Sequence, residues 1–320
     1  MSRLIDNIAD FLVENGFELS FQIRHDFDVI VTRTLDGRHT KVILPLEISA
    51  GTIEEAEAES ENAEYAIRMI TREAGYPLII TEDRWRSQRQ MMEARLLAHL
   101  ELFSQAYARN CEVRRIEKAE AQEFLNRNHS YGDAACKYRY GLFLKRHTGH
   151  IAAEMGFPIR SGMTDEVKNL SEGLLIAVAT FSNARRWLKE GKEIRSYEWT
   201  RYASLPDLRV SGGMGKMLKA FIKEVQPDDI MSYADLEWSE GEVYERLGFE
   251  AETRKEPVTF TIDPQTWERT AIRRSPVKPG MTEEKPGMPE GDNVIPDQIG
   301  DLFFRNFGSN KFRLKLTDYE

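Results

Sequence analysis

Cysteine is nearly absent: 320 residues contain two, Cys111 and Cys136, with no close pair. That excludes a disulfide framework and a cysteine-type zinc spacing, and no metal site is expected. No apolar run approaches the ~20 residues that a membrane-crossing helix needs. The opening segment, Met1 to Glu14, carries acids inside its apolar pattern, unlike a secretory leader. Positive charge is not in excess either: Lys and Arg number 44, Asp and Glu 53, for a net charge of −9. A generally basic surface that holds nucleic acid by phosphate attraction alone is therefore disfavoured, although a local basic groove remains open. Together these absences suggest a reduced, cytoplasmic protein without a membrane partner.

What is present is length enough for about two domains and an alternation of helical and strand periodicities. Leu4, Ile5, Ile8, Phe11 and Leu12 recur at helical spacing and stop at Asn15-Gly16. Strand-like segments follow at Glu18–Arg24, Phe27–Thr34 and Thr40–Glu47, with Asp36-Gly37 as a hairpin turn. An acidic helix over Thr52–Ala74 and a buried strand over Pro77–Ile80 complete an α-β-β-β-α-β unit across 1–80. Its order resembles the core of PD-(D/E)xK nucleases, with Asp28 and Glu47 as candidate acids. Glu47-Ile48-Ser49 lacks that family's lysine, so the resemblance implies an inactive, degenerate nuclease-like domain.

From Thr81 the spacing of Trp85, Met92, Leu96, Leu100 and Phe103 predicts a long amphipathic helix reaching about Tyr107, a connector over 81–112. Glu82-Asp83-Arg84-Trp85, then Ala106-Tyr-Ala-Arg-Asn-Cys111 and Asn128-His129-Ser-Tyr-Gly132, are similar to segments of phage homing-endonuclease proteins. The second domain is placed at 113–320, with a helix over Ala119–Arg127 and strands over Lys137–Arg146, Leu174–Ser182 and Ser196–Ser204. Two nine-residue pieces share one pattern, Pro158–Glu166 and Pro276–Glu284, and read as loop insertions near 150–170 and 275–298. Order should return over Asp301–Leu316 through Phe303, Phe304, Phe307, Phe312 and Leu314.

The segment Tyr197–Phe249 carries the strongest signal. A strand leads to Arg209-Val-Ser-Gly212-Gly213-Met-Gly215-Lys216, which opens a helix. Glycines there let successive amides converge at a helix N-terminus, where free N–H groups and the helix dipole favour an anion. A second strand, Ile230–Leu236, and Gly241-Glu-Val-Tyr244-Glu-Arg-Leu-Gly248-Phe249 follow. This stretch resembles the GNAT acyltransferase family. Gly213 and Gly215 match its two loop glycines and Tyr244 the tyrosine before Gly-Phe, while Val210 departs from the Gln or Arg at the first loop position, with Arg209 one residue early.

The resemblance implies an α+β fold with a GNAT-like mixed sheet, flanking helices and an acetyl-CoA or other acyl-CoA cofactor. Arg209, Gly212, Gly213, Gly215 and Lys216 would bind it, and Tyr244 would give the leaving thiolate its proton. Glu198, on the strand before the loop, is the candidate base for an attacking amine that the sequence does not identify. Alternation places Glu198, Thr200 and Tyr202 on one face and Tyr197, Trp199 and Arg201 on the other.

Ser232-Tyr233-Ala234-Asp235 before Gly-x-Val-Tyr is also similar to the phage Mom DNA-modification family, whose members are GNAT-like. Under that reading Tyr233 and Asp235 line the site and His129 contributes a ligand or base. The basic run Arg185-Arg186-Trp187-Leu188-Lys189, with Lys192 and Arg195, could then contact phosphates with Trp187 as a stacking platform. Equally it is a solvated hairpin. Three functions stay open: an N-acyltransferase, a Mom-like DNA modifier, and a non-catalytic interaction protein that kept the fold.

Overall fold

The computed structural model describes residues 3–145, 173–189, 191–272 and 302–318. Both nine-residue repeats lie outside these. Helices and mixed sheets make the chain α+β. The N-terminal unit follows the expected order: α1 (Leu4–Glu14), β1 (Leu19–Arg24), β2 (Phe27–Arg33), β3 (Thr40–Leu46), α2 (Ile53–Ala74) and β4 (Leu78–Thr81). Its sheet runs β1-β2-β3-β4, antiparallel until β3 and β4, which are parallel because α2 crosses between them. Thr52 caps α2 by accepting from the Glu55 amide at 3.1 Å. His25 and Asp26, both at positive φ, form the tight turn between β1 and β2.

The connector is not one long helix. It divides into α3 (Glu82–Ser87) and α4 (Arg89–His99), then becomes strand β5 (Ser104–Tyr107). Gln88 leaves the helical region at φ −127, ψ 39, and Glu101 turns the chain at φ 68. The apolar spacing survived the break because both helices press Trp85, Met92 and Leu96 into the same core. Residues 104–107 find backbone partners in a parallel pairing with β11 (Leu208–Ser211) that no local signal announces.

The larger sheet is built from β6 (Cys111–Arg115), β7 (Tyr138–Leu144), β8 (Leu175–Phe181), β9 (Arg185–Lys189), β10 (Lys192–Ser204), β12 (Asp229–Asp235), β13 (Glu250–Lys255) and β17 (Ser309–Lys315). Its order is β13-β17-β12-β10-β8-β7-β6, with β9 as a hairpin on β10. Helices α5 (Lys118–Asn128), α6 (Gly213–Val225) and the short α7 (Glu242–Arg246) flank it. Phe221 of α6 sits at the centre, stacked on Phe181 at 3.9 Å and edge-on to Tyr138, Tyr140 and Tyr197. A last small sheet, β15-β14-β16 (Arg269–Ala271, Thr259–Ile262, Leu302–Arg305), folds back onto α2. Phe303, Phe307 and Phe312 are buried. Among the described residues no helix is long and apolar enough to cross a membrane.

The two halves share one core, which runs from α1 through Trp85 and α4 to α5, α6 and the large sheet. They are also clamped by buried charge. Glu237 accepts from Arg84 Nε at 3.0 Å and from Arg269 Nη1 at 2.6 Å, and Arg269 also grips Asp83. Arg95 donates to the Glu237 and Trp238 carbonyls at 2.8 and 3.0 Å. Burial would raise the Glu237 carboxyl, but Arg269 and Arg84 outweigh it and hold it at about 2.

Removing one member leaves the others uncompensated in a low-dielectric interior. Arg269→Met should therefore lower the unfolding free energy by about 3–5 kcal/mol, read as a drop in the urea midpoint. Because the folded Glu237 pKa is depressed from 4.5 to about 2, its contribution is full above the unfolded value and is lost as pH falls through that window. Glu237→Gln should flatten this part of the acid stability profile.

Candidate functional site

Strand β10 has three partners along its length. Lys192–Ser196 pair with β9, Trp199–Ser204 with β8, and on the opposite edge Ser196–Glu198 pair in parallel with Asp229–Met231 of β12. Beyond Glu198 and Met231 the parallel ladder stops, although both strands continue. A wedge opens at the carboxyl ends of these two strands, where ligands of open α/β sheets collect. Ser232 bridges its throat: its Oγ lies 3.1 Å from the Trp199 carbonyl and 2.9 Å from the Tyr244 phenol oxygen.

The wedge widens into a cleft of ≈ 1460 Å³ between α4 and the larger sheet. Nine of the ten candidates from the sequence line it: Glu198, Tyr233, Asp235, Tyr244, His129, Arg209, Gly212, Gly213 and Gly215. Lys216 does not. Its ammonium donates to the carbonyls of Ala108 and Cys111 at 2.8 and 2.6 Å, and its backbone N–H returns to Gly212. Lys216 thus pins the start of α6 to the turn before β6.

Each glycine of the turn has its own reason. Gly212 takes a left-handed conformation at φ 76, as the residue before α6. At Gly213 a Cβ would come within 3.0 Å of Val210 and 3.1 Å of the Tyr202 hydroxyl. At Gly215 it would meet Leu247 at 3.3 Å. Gly212, the residue before α6, has no side chain to cap it. The first residues of the helix, whose amides the helix itself leaves unclaimed, line the cleft. Arg209 is exposed beside them, its guanidinium over the Phe103 ring at 5.2 Å.

The strict alternation expected along β10 fails at Thr200. A bulge there shifts the register with β8 between Trp199 and Arg201, so one extra residue reverses the phase. Thr200 turns to Thr180, with the hydroxyls 2.7 Å apart. Trp199 and Tyr202 now meet edge to face at 6.1 Å, and Arg201 lies near enough to Glu198 to feel its charge. Arg201 donates to the carbonyls of Gly132 and Thr200 at 3.0 and 2.8 Å.

Tyr244 stacks on Phe312 at 5.3 Å and meets Trp199 and Phe249 edge-on. Burial raises its phenol pKa, with the Ser232 hydroxyl opposing. It therefore holds its proton over the physiological range. Asp235, at the end of β12, accepts from the Tyr131 hydroxyl at 2.8 Å and from the Glu237 amide at 2.9 Å. Burial and the neighbouring Glu237 raise its pKa. Tyr233 lies under the Lys255 ammonium, 3.8 Å from the ring centre.

Sequence reasoning missed Tyr131, Arg201 and Trp238, which share the cleft. Only the tertiary fold brings the loop after α5 to the end of β12. The nuclease-like acids, Asp28 and Glu47, lie elsewhere, with Arg3 between them at 2.7 and 3.7 Å. Among the described residues no cluster of three or more potential ligands could hold a metal. No protein-family model matches this chain and no curated protein matches it in sequence, so the site is read from its geometry.

His129 ends α5 and accepts the Tyr131 amide on Nδ1 at 3.1 Å, which leaves its neutral proton on Nε2. Burial first, then Arg201 and Arg84, lower its pKa to about 4. A folded pKa below the ordinary 6.5 means that protonation costs stability as pH falls through this range. Two-dimensional NMR should show the His129 ring unchanged from pH 8 to about 5, with its midpoint near 4.

Proposed function

We propose that this protein is a CoA-dependent N-acyltransferase of the GNAT kind, acting on an amine. One observation carries the reading: the wedge between β10 and β12 and the uncapped N-terminus of α6 open into one cleft. A parallel pair that parts beside free helix amides suits an elongated ligand with an anionic middle. Arginine and lysine outnumber carboxylates along its walls, with Arg89, Arg127, Arg209, Arg246 and Lys255 among them. The bare glycine backbone fits a pyrophosphate, and a CoA thioester would supply an activated acyl carbon.

The chain's own residues would then divide the work. The amides of Gly213, Met214 and Gly215 hold the diphosphate, and Arg209 adds charge beside them. Glu198, next to Arg201, accepts the proton that an attacking amine must lose. Tyr244 keeps a phenolic proton at the throat of the wedge, available to a leaving sulfur. Acetyl-CoA should bind in calorimetry. Gly215→Val, where a Cβ would meet only the end of the Leu247 side chain, should weaken it by about tenfold or more while circular dichroism stays native. Tyr244→Phe should keep that affinity and lower turnover on the order of 10²-fold. Absence of binding at saturating acetyl-CoA removes this reading.

A second reading has its own support. The β9–β10 hairpin presents Arg185, Arg186 and a part-exposed Trp187, and the cleft walls are cationic in an acidic protein. These features suit DNA, as a Mom-like modifier requires. Fluorescence anisotropy with a short duplex should then show affinity falling steeply with salt. The triple change of Arg185, Arg186 and Lys189 to Gln should flatten that slope by roughly one unit per lost phosphate contact. No affinity at low salt leaves the acyltransferase alone.

A further inference from the structure

Sheet edges are protected in most of this molecule. Strand β13 reads Glu-Ala-Glu-Thr-Arg-Lys, β9 Arg-Arg-Trp-Leu-Lys, and β6 ends in Arg114-Arg115. Charged side chains at an edge discourage pairing with another chain. At the far end of the four-stranded N-terminal sheet β4 is fully buried. Strand β1 is different. It ends the four-stranded sheet, and Leu19-Ser-Phe-Gln-Ile23 contains no charge and no proline. Phe21 is 61% exposed and Ile23 75% exposed, on the face that Leu19 shares. Both sit far above what a folded surface usually asks of a large apolar side chain at an open edge.

We propose that the outer edge of β1 is a homodimer interface, pairing antiparallel with β1 of a second copy about Phe21. The occupant follows from the strand's own symmetry. Centred on Phe21, a twofold sets Phe21 against Phe21, Leu19 against Ile23, Ser20 against Gln22 and Glu18 against Arg24. Every pair matches in kind, and the charged pair, made twice, is of opposite sign. Moving the centre by one position, to Ser20 or Gln22, still sets Phe21 against Leu19 or Ile23 but separates Glu18 from Arg24. A centre on Gln22 also sets Glu18 against Asp26, so the charges select the Phe21 centre. A foreign strand has no reason to carry the complement of this pattern, whereas a second copy carries it by construction.

Directly opposite residues share a face, so Glu18 and Arg24 meet on one side and Leu19, Phe21 and Ile23 on the other. Arg24 donates to the Gln22 side chain at 3.0 and 3.1 Å and lies 3.7 Å from Glu73, on that same side. The outward N–H and C=O groups of β1, which pair with no other strand among the described residues, would continue the ladder into one sheet across both copies. None of the residues that line the large cleft lies on β1, so both sites stay open in the dimer. The proposal therefore stands apart from the acyltransferase reading.

Sedimentation velocity of the full chain over a concentration series tests it. A monomer–dimer equilibrium is expected. Phe21→Lys, which sets two ammonium groups opposite each other at an already exposed position, should leave only monomer with unchanged circular dichroism. Glu18→Arg alone should raise the dimer Kd by about tenfold, and Glu18→Arg with Arg24→Glu should restore it. A monomer at every concentration overturns the proposal, as does a dimer indifferent to Phe21→Lys. A dimer that the double exchange fails to restore overturns the Phe21-centred pairing.

Discussion

A single buried carboxylate, Glu237, organises the meeting of the two halves. It lies two residues beyond the end of β12 and is 2% exposed. Arg84 reaches it from the helix after β4 and Arg269 from the small C-terminal sheet. Removing a carboxylate from water is costly unless such partners return the energy, so its position fixes theirs. Arg95, which donates to the same stretch of backbone, also stacks on Trp238 at 4.4 Å, and both line the cleft. The clamp that joins the halves thus shapes the wall of the candidate site.

The wedge rests on a second constraint, the shortness of the β10–β12 pairing. A bulge at Thr200 bends β10 toward β8 while β12 stays with β17. The backbone groups released there are met partly by Ser232, whose hydroxyl reaches the Trp199 carbonyl. A cleft that forms where two strands part is framed by rigid elements. Its polar residues come from several separate strands and helices, Glu198 and Arg201 from β10, Asp235 from β12, Arg95 from α4 and Tyr244 from α7. Such elements hold a site more precisely than loops do.

Much of the fold could be read from local pattern. The helical spacing of Leu4 to Leu12, the alternation in the first strands and the glycine turn before α6 each rest on neighbours in sequence. The connector defeated that approach, because apolar spacing cannot distinguish one helix from two that share a face. Only the remote partner β11 decides that residues 104–107 are a strand. The face assignment in β10 failed for a similar reason: a bulge is a property of the pairing, and its signal lies in β8 as much as in β10. Tyr131 and Arg201 were invisible as site residues, since a loop after α5 reaches the end of β12 only through the packed core.

The sequence by itself determined the α+β class, the order of elements in the first 80 residues and the position of the glycine turn, because these depend on short-range stereochemistry and on periodicity. The uncharged middle of β1 was also written there. Tertiary structure alone decided that nine scattered candidates would face one cleft, and that Lys216 would be spent on the carbonyls of Ala108 and Cys111. It also decided that Glu237 would be a buried anchor. Those outcomes depend on which distant groups desolvate one another, and that is settled only when the chain closes on itself.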